Sequence, residues 1–165
     1  MGIDAMGRLS GSQCYQIVKP VDVGPVLACL DRLSWYGVPG DVRDPNKPPC
    51  SVALSDKWPR EIHDWITSLD LGGSPGRYII RKLARGQNIP RHVDAWMPGE
   101  IDWRRFQVPL VTEPGVVMVW PADCVAVHLE AGNLYEVRYD REHEVVHGGV
   151  GDRIHLQIDQ VGATV

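Results

Sequence analysis

Eight short segments of strand-like sequence make up the second half of this chain, and this division limits the folds that it can adopt. Each segment is a short apolar or alternating run, and Gly, Pro or Asp residues separate it from the next. The segments are Arg77 to Leu83, Ile89 to Ala95, Phe106 to Val111, Val116 to Trp120, Cys124 to Leu129, Leu134 to Tyr139, Glu144 to His147 and Ile154 to Gln160. Many short strands with turn residues between them are typical of a jelly roll or a barrel, so we predict a mainly β fold.

The last segment has the clearest period of two. Its aliphatic residues are Ile154, Leu156 and Ile158, and they alternate with Arg153, His155, Gln157 and Asp159. Because successive side chains of a strand point to opposite faces, Arg153 should lie opposite the aliphatic residues, as a pocket-lining residue would. We interpret the glycine-rich segment from Gly148 to Gly151 as a hairpin turn that folds Arg153 back toward His143.

The first half of the chain carries helical patterns instead. Asp22 to Leu33 and Pro59 to Leu69 have apolar residues at helical spacing, and the stretch from Gly37 to Pro49 is rich in loop-forming residues. We therefore expect one domain over residues 1–165. In it, a helical and loop-containing part at 1–77 flanks a jelly-roll core at 78–160.

Composition excludes several classes of function. The chain has 17 basic and 21 acidic residues and a net charge of -4, which is not the charge pattern of a nucleic-acid-binding protein. Its apolar runs are too short to cross a membrane, and the first ten residues do not resemble a signal peptide, so we expect a cytoplasmic protein. Four cysteines without a CxxC pair argue against structural zinc and indicate reduced thiols.

A set of potential metal ligands stands out in the strand-rich half. His92 and Asp94 are two residues apart, so on a strand both side chains leave the same face, and His143 and Arg153 follow later in the chain. Two imidazoles and one carboxylate with open positions form the ligand set of non-haem Fe(II) oxygenases, and an arginine fork binds a carboxylate. Taken singly, each residue also has an ordinary interpretation: a surface histidine beside an acid, a charged turn at His143, or an ion-paired Arg153.

The order and spacing of five segments make the resemblance to a known family specific. The segments that carry it are Asn88 to Asp94, Arg105 to Thr112, Gly132 to Val137, His143 to His147 and Asp152 to Asp159. Together they resemble the aspartyl/asparaginyl β-hydroxylase family of 2-oxoglutarate and Fe(II)-dependent oxygenases. The resemblance covers Tyr78 to Asp159, and it implies a double-stranded β-helix, which is a cupin-like jelly roll, with N-terminal flanking helices.

The resemblance also implies roles for individual residues. His92, Asp94 and His143 correspond to the iron ligands, and Arg153 corresponds to the residue that binds the distal carboxylate of 2-oxoglutarate. His147 stands where the family commonly has asparagine, which implies a place next to the ligands. Two further arginines match positions that reach the co-substrate in the family or in some of its members, and these are Arg105 and Arg81.

The activity implied is oxidative decarboxylation of 2-oxoglutarate to succinate, coupled to hydroxylation of a substrate carbon with dioxygen. The substrate would be an aspartyl, asparaginyl or other amino-acid side chain in a peptide, a protein or a free amino acid. Trp96, Met97 and Trp103 either form a loop that shapes substrate choice or pack on the barrel. The alternative from another class is a cupin-like barrel that binds a metal or small ligand without oxygenation.

Overall fold

The structure, a computed structural model, describes residues 13–38, 50–94 and 103–161. Two helices and eleven strands lie in this part of the chain. The helices are α1 (Gly24–Leu27) and α2 (Arg60–Ser68). The strands are β1 (Tyr15–Pro20), β2 (Tyr36–Val38), β3 (Cys50–Leu54), β4 (Ser74–Leu83), β5 (Ile89–His92), β6 (Trp103–Val111), β7 (Val116–Trp120), β8 (Val125–Val127), β9 (Asn133–Val137), β10 (His143–His147) and β11 (Arg153–Val161).

The strands form two antiparallel sheets. The larger sheet has the order β1-β9-β6-β11-β4-β3-β2, and the smaller one has the order β5-β10-β7-β8. Strands β4 to β11 contribute four strands to each sheet, and the chain passes to the other sheet at every step except β7 to β8. This arrangement is a double-stranded β-helix, or jelly roll, which confirms the predicted fold class.

All eight predicted strand segments are strands in the structure, and the differences lie at their ends. Strand β7 has the predicted bounds, whereas β4 begins at Ser74, before the expected start of the core at residue 78. Helix α2 is confirmed within one residue at each end. Its buried side chains are Ile62, Trp65 and Ile66, as the helical spacing predicts.

The N-terminal part differs from the helical and loop-containing region that we expected at 1–77. Strands β1, β2 and β3 lie there and extend both ends of the larger sheet. Strand β1 is an edge strand with side chains partly exposed on both faces, so it has no alternating pattern to mark it. The predicted helix from Asp22 to Leu33 is only the four-residue α1 followed by a 3-10 turn at Leu30–Arg32.

The glycine-rich segment between β10 and β11 is not a hairpin turn. Strand β10 pairs with β5 and β7 in the smaller sheet, whereas β11 pairs with β4 and β6 in the larger one. Both hydrogen-bonding edges of each strand are therefore taken by other partners. The segment from Gly148 to Gly151 is a crossover between sheets, and it still brings the start of β11 to the cavity that contains His143.

Two apolar clusters flank the larger sheet. One lies between its outer face and the helices, and the buried Ile62, Trp65, Leu156 and Ile158 belong to it. The other lies between the two sheets and includes Trp120, Met118 and Val145. Strand β11 thus turns its aliphatic side chains toward the helices and leaves its polar side chains to face the interior of the sandwich. No helix among the described residues is long and apolar enough to cross a membrane.

We predict that Ile62→Ala lowers the free energy of unfolding by about 2–5 kcal/mol, because it leaves a cavity between α2 and the sheet. The matched change on the exposed face of the same helix, Asp64→Ala, should cost less than about 0.5 kcal/mol. Urea denaturation followed by circular dichroism measures both. Equal losses in the two variants would contradict the packing of α2 described here.

Candidate metal centre and anion pocket

The antiparallel register of β5 and β10 places two histidines directly opposite each other. His92 is the Cα partner of His143, and their ring centroids are 4.4 Å apart. Directly opposed residues of antiparallel strands have Cβ atoms within about 5.5 Å, which is close enough for two imidazoles to share one ion. His143 is buried, whereas His92 is partly exposed at the mouth of the cavity.

Backbone carbonyls fix the tautomer of both rings. Nδ1 of His92 lies 2.8 Å from the Pro90 carbonyl oxygen, and Nδ1 of His143 lies 2.8 Å from the Arg141 carbonyl oxygen. A carbonyl oxygen only accepts, so each Nδ1 carries the hydrogen and donates it. Both Nε2 atoms then keep a lone pair, which is the form that binds a metal, and such outer hydrogen bonds orient metal-binding histidines in general.

Asp94 supplies the carboxylate just beyond the end of β5. Its backbone N–H donates to the Tyr139 carbonyl at 3.2 Å, which holds the chain in place there. Oδ1 lies 3.6 Å from Nε2 of His92, and Oδ2 lies 3.8 Å from Nε2 of His143. The three ligand atoms all lie within 4.8 Å of one another, so the donor set that the sequence predicted is assembled in the structure.

The surroundings favour the ligand-competent protonation states. Burial lowers the pKa of His143 below its usual value, and the neighbouring His92 lowers it further. Burial alone would raise the pKa of Asp94, but Arg105 and the two histidines outweigh it, and the net direction is downward. A neutral imidazole and an ionised carboxylate are the forms that bind a divalent cation.

Arg105 is not an exposed arginine at a sheet edge. It lies on the interior strand β6, is 4% exposed, and donates from Nε and Nη2 to Asp159 at 2.6 and 3.2 Å. Nη1 donates to Oδ2 of Asp94, and the guanidinium carbon lies 4.9 Å from the centroid of the Tyr139 ring. The structure therefore places Arg105 against the candidate metal ligand, with two carboxylates already in contact.

A cavity between the sheets joins the donor set to a second polar region. Its empty space is about 570 Å³ up to and including its opening to solvent. The lining residues are Arg81, Ile89, His92, Asp94, Arg105, Gln107, Met118, His143, Val145, Arg153, His155 and Gln157. All six residues that the sequence singled out as ligands or co-substrate contacts therefore face one cavity.

Arg153 is a buried cation with only neutral partners in the parts of the chain that the structure describes. It is 3% exposed, and its Nη2 lies 3.5 Å from Oε1 of Gln107 and 2.9 Å from Nδ1 of His155. Burial, and then the charge of Arg81, lower the pKa of Arg153 to about 9, so the side chain is still cationic at neutral pH. A buried charge without a counter-ion is unfavourable, and an anionic ligand would relieve it.

Unsatisfied polar atoms surround this arginine. Nε of Arg153, Nε2 of His155 and Oγ1 of Thr112 are buried without a hydrogen-bond partner, and all three residues line a smaller adjoining cavity. Burial lowers the pKa of His155 well below its usual value, with Arg153 as the next cause, so this imidazole is neutral. Buried groups of this kind in a native protein call for a missing polar partner such as a ligand or ordered water.

The remaining candidates lie around these two centres. Arg81, on β4 opposite His155, is partly buried beside Arg153, and its Nη1 lies 3.9 Å from the Cys50 sulfur. His147 is buried but is not part of the donor set, and its Nδ1 accepts from the Gly149 N–H at 3.3 Å. Trp96 and Met97 lie outside the described residues, whereas Trp103 begins β6.

Sequence reasoning gave no role to Asp159. The alternation of β11 placed it on the cavity side with Arg153, and its spacing of six residues from Arg153 is the signal that pointed to a shared face. What the sequence could not show is that Arg105, 54 residues earlier, binds it. That contact depends on the pairing of β6 with β11, where Asp159 is the partner of Arg105.

No protein-family model and no curated protein matches this sequence. Solved structures share its fold. A 2OG-Fe(II) oxygenase-family oxidoreductase from Burkholderia pseudomallei has a TM-score of 0.59 at 17% identity, over 86% of this chain and 81% of that one. A Pseudomonas putida prolyl-4-hydroxylase has a TM-score of 0.59 at 18% identity, over 89% and 90%. A viral collagen prolyl hydroxylase from Paramecium Bursaria Chlorella virus-1, in complex with 2OG, has a TM-score of 0.54 at 11% identity, over 91% and 97%.

We predict that His143→Ala abolishes tight binding of one divalent cation, because among the described residues it leaves only two of the three grouped donors. His147→Gln changes a buried histidine on the same strand and should leave binding intact. Isothermal titration with Mn(II), which needs no protection from oxygen on this timescale, measures both affinities. If His147→Gln loses Mn(II) binding and His143→Ala retains it, His147 is the ligand and His143 is not.

Proposed function

We propose that this protein is a 2-oxoglutarate and Fe(II)-dependent dioxygenase that hydroxylates an amino-acid side chain. The observation that carries the proposal is the cavity itself. It holds two imidazole nitrogens and a carboxylate in one group, and a buried arginine without a described carboxylate partner in another. A metal centre and an anion site in one enclosed space are what this co-substrate requires, because it contacts the metal at one end and an arginine at the other. We further propose that residues 1–165 form a single oxygenase domain.

The donor set suits iron. His92, Asp94 and His143 would hold Fe(II), because two imidazoles and one carboxylate are the ligand set of non-haem Fe(II) oxygenases. Both rings present Nε2 because their Nδ1 atoms are bound to backbone carbonyls. Bound iron would supply the oxidising chemistry that couples decarboxylation of 2-oxoglutarate to hydroxylation of a carbon–hydrogen bond.

The second group suits a carboxylate. Arg153 would bind the distal carboxylate of 2-oxoglutarate through its guanidinium, and Thr112 Oγ1 and His155 Nε2 offer two further donors that are otherwise unsatisfied. Oε1 of Gln107 lies 3.5 Å from Nη2 of Arg153, and Nδ1 of His155 accepts from the same Nη2 at 2.9 Å, so both neutral side chains help to hold the guanidinium in place. We expect Arg81 to contribute positive charge to the same co-substrate.

The walls of the cavity would keep the reaction apart from bulk water. Ile89, Met118 and Val145 provide apolar lining between the donor set and Arg153. An enclosed site strengthens the electrostatic attraction of Arg153 for its anion and protects reactive species from side reactions. The residues of the cavity would therefore bind the co-substrate, orient it and keep it apart from bulk water.

The proposed substrate class is supported by the resemblance of residues 78–159 to aspartyl/asparaginyl β-hydroxylases and is compatible with the fold shared with prolyl hydroxylases. We propose an aspartyl, asparaginyl or other amino-acid side chain in a peptide, a protein or a free amino acid. Dioxygen is the second co-substrate. We propose that Asp94 corresponds to the carboxylate ligand that some members of the resembled family have and others lack.

A cupin-like barrel that binds a metal or a small ligand without oxygenation is the competing function. It shares the donor set and the fold, so the geometry of His92, Asp94 and His143 does not separate the two. Arg153, which has only neutral partners among the described residues, supports an anion site, and a barrel that binds an anionic small ligand would use it as well. Fe(II)-dependent release of succinate from 2-oxoglutarate decides between them.

We predict that Arg153→Met weakens the binding of 2-oxoglutarate to the Mn(II)-loaded protein by about 100-fold, since charge-assisted bonds contribute about 1.5–3 kcal/mol each. Metal affinity should stay unchanged. Arg153→Lys should bind with intermediate affinity because one ammonium cannot form the two-point contact of a guanidinium. Arg91→Met, at a half-exposed arginine that pairs with Glu142 and Glu144, is the control and should bind normally.

We predict that the Fe(II)-loaded protein adds one oxygen atom to a member of a library of amino acids and peptides and releases one succinate for each. Mass spectrometry of products and succinate measures both. Aspartyl, asparaginyl and prolyl residues should be the first compounds tested. The non-catalytic barrel would be favoured if the protein binds Mn(II) and 2-oxoglutarate but releases no succinate when it is loaded with Fe(II).

A further inference from the structure

Asp159, near the end of β11, is a buried carboxylate to which the proposed reaction gives no part. It is 1% exposed and accepts five hydrogen bonds from three side chains. Gln157 donates from Nε2 at 2.9 Å, and Arg77 donates from Nε and Nη2 at 3.3 and 3.0 Å. Arg105 supplies the other two bonds and also donates to Asp94.

Arg105 connects Asp159 to the candidate metal centre. Its Nε and Nη2 bind the two oxygens of Asp159, and its Nη1 donates to Oδ2 of Asp94. Because a guanidinium is planar and rigid, two bonds to Asp159 determine where the third nitrogen points. The orientation of Asp94 thus depends on a carboxylate that lies outside the donor set.

The charge of Arg105 leads to the same conclusion about Asp159. Arg105 is 4% exposed, so its charge needs a counter-ion inside the protein. If Asp94 were the only one, the guanidinium and a metal would compete for the same carboxylate. Asp159 balances Arg105 from the other side and leaves Oδ1 of Asp94 directed toward Nε2 of His92, at 3.6 Å.

We propose that Asp159 is a positioning residue for metal binding. It orients and neutralises Arg105, which fixes Oδ2 of Asp94 and leaves the carboxylate available to a divalent cation. The inference rests on the proposed function, because it assumes that His92, Asp94 and His143 bind metal. It extends that function by assigning to Asp159 and Arg105 a part in metal affinity, in addition to the contact with the co-substrate that the resemblance implies for Arg105.

The test is the affinity of Asp159→Asn for Mn(II), measured by isothermal titration beside the thermal stability of each metal-free protein. Loss of an outer hydrogen-bond partner costs about 10–100-fold in metal affinity, and we expect a loss in this range. Asp159→Glu keeps the charge and should recover part of the affinity. A residue with a structural role alone would change stability without changing Mn(II) binding.

Glu136 offers a matched control. It is 4% exposed and accepts bonds from Arg104 at 2.9 and 2.8 Å, so it is also a buried carboxylate bound by two nitrogens of an arginine on β6. Arg104 leaves the opposite face of the strand from Arg105 and packs over Phe106, at 5.0 Å from the ring centroid. Glu136→Gln should therefore lower thermal stability and leave the affinity for Mn(II) unchanged.

Wild-type affinity in folded Asp159→Asn overturns the inference, and so does an equal loss of affinity in Glu136→Gln. If Asp159→Asn does not fold, Arg105→Lys tests the same connection, since one ammonium cannot reproduce the three-nitrogen contact. Wild-type affinity in Arg105→Lys would overturn the inference as well. Failure of the wild-type protein to bind Mn(II) would instead overturn the proposed function from which the inference starts.

Discussion

The candidate site depends on the antiparallel register of β5 and β10. A strand register shifted by one residue turns every side chain to the other face, so His92 meets His143 only in the pairing that the structure has. Within each strand, Nδ1 of the histidine reaches the carbonyl oxygen of the residue two positions earlier. One backbone pairing therefore sets the distance between the rings, and local backbone bonds set which nitrogen of each ring faces inward.

Two buried arginines in one cavity have opposite electrostatic situations. Arg105 contacts two carboxylates, Asp94 and Asp159. Burial alone would lower the pKa of Arg105, but these two carboxylates outweigh it, and the net direction is upward. Arg153 contacts only neutral groups among the described residues, and burial lowers its pKa to about 9. The charge of Arg105 is balanced by carboxylates of the protein itself. The charge of Arg153 is not balanced by any described carboxylate, which supports its proposed contact with an anionic co-substrate.

Most of the core could be predicted from sequence because its signals are local. The alternation of β11 separates an aliphatic face from a polar one, and in the structure the aliphatic face packs toward the helices while Arg153, His155 and Gln157 line the cavity. The helical stripe of α2 marks its buried face, which is confirmed. Strand β1 could not be predicted, because an edge strand with both faces partly exposed has no periodic pattern. The segment from Gly148 to Gly151 was interpreted wrongly as a hairpin, since glycine-rich turns also serve crossovers between sheets. The contact of Arg105 with Asp159 required the pairing of β6 with β11, which no local pattern encodes.

The crossover from β10 to β11 has a consequence for ligand size. It puts His143 on the smaller sheet and Arg153 on the larger one, so any molecule that touches both must bridge the two layers of the sandwich. Sheets packed face to face lie about 10 Å apart, and side chains on both layers shorten that gap. Met118 and Val145 act as spacers between the layers, because they line the cavity and belong to the apolar cluster between the sheets. The separation of the two sheets and the volume of these two side chains would therefore limit the length of an anion that contacts both His143 and Arg153.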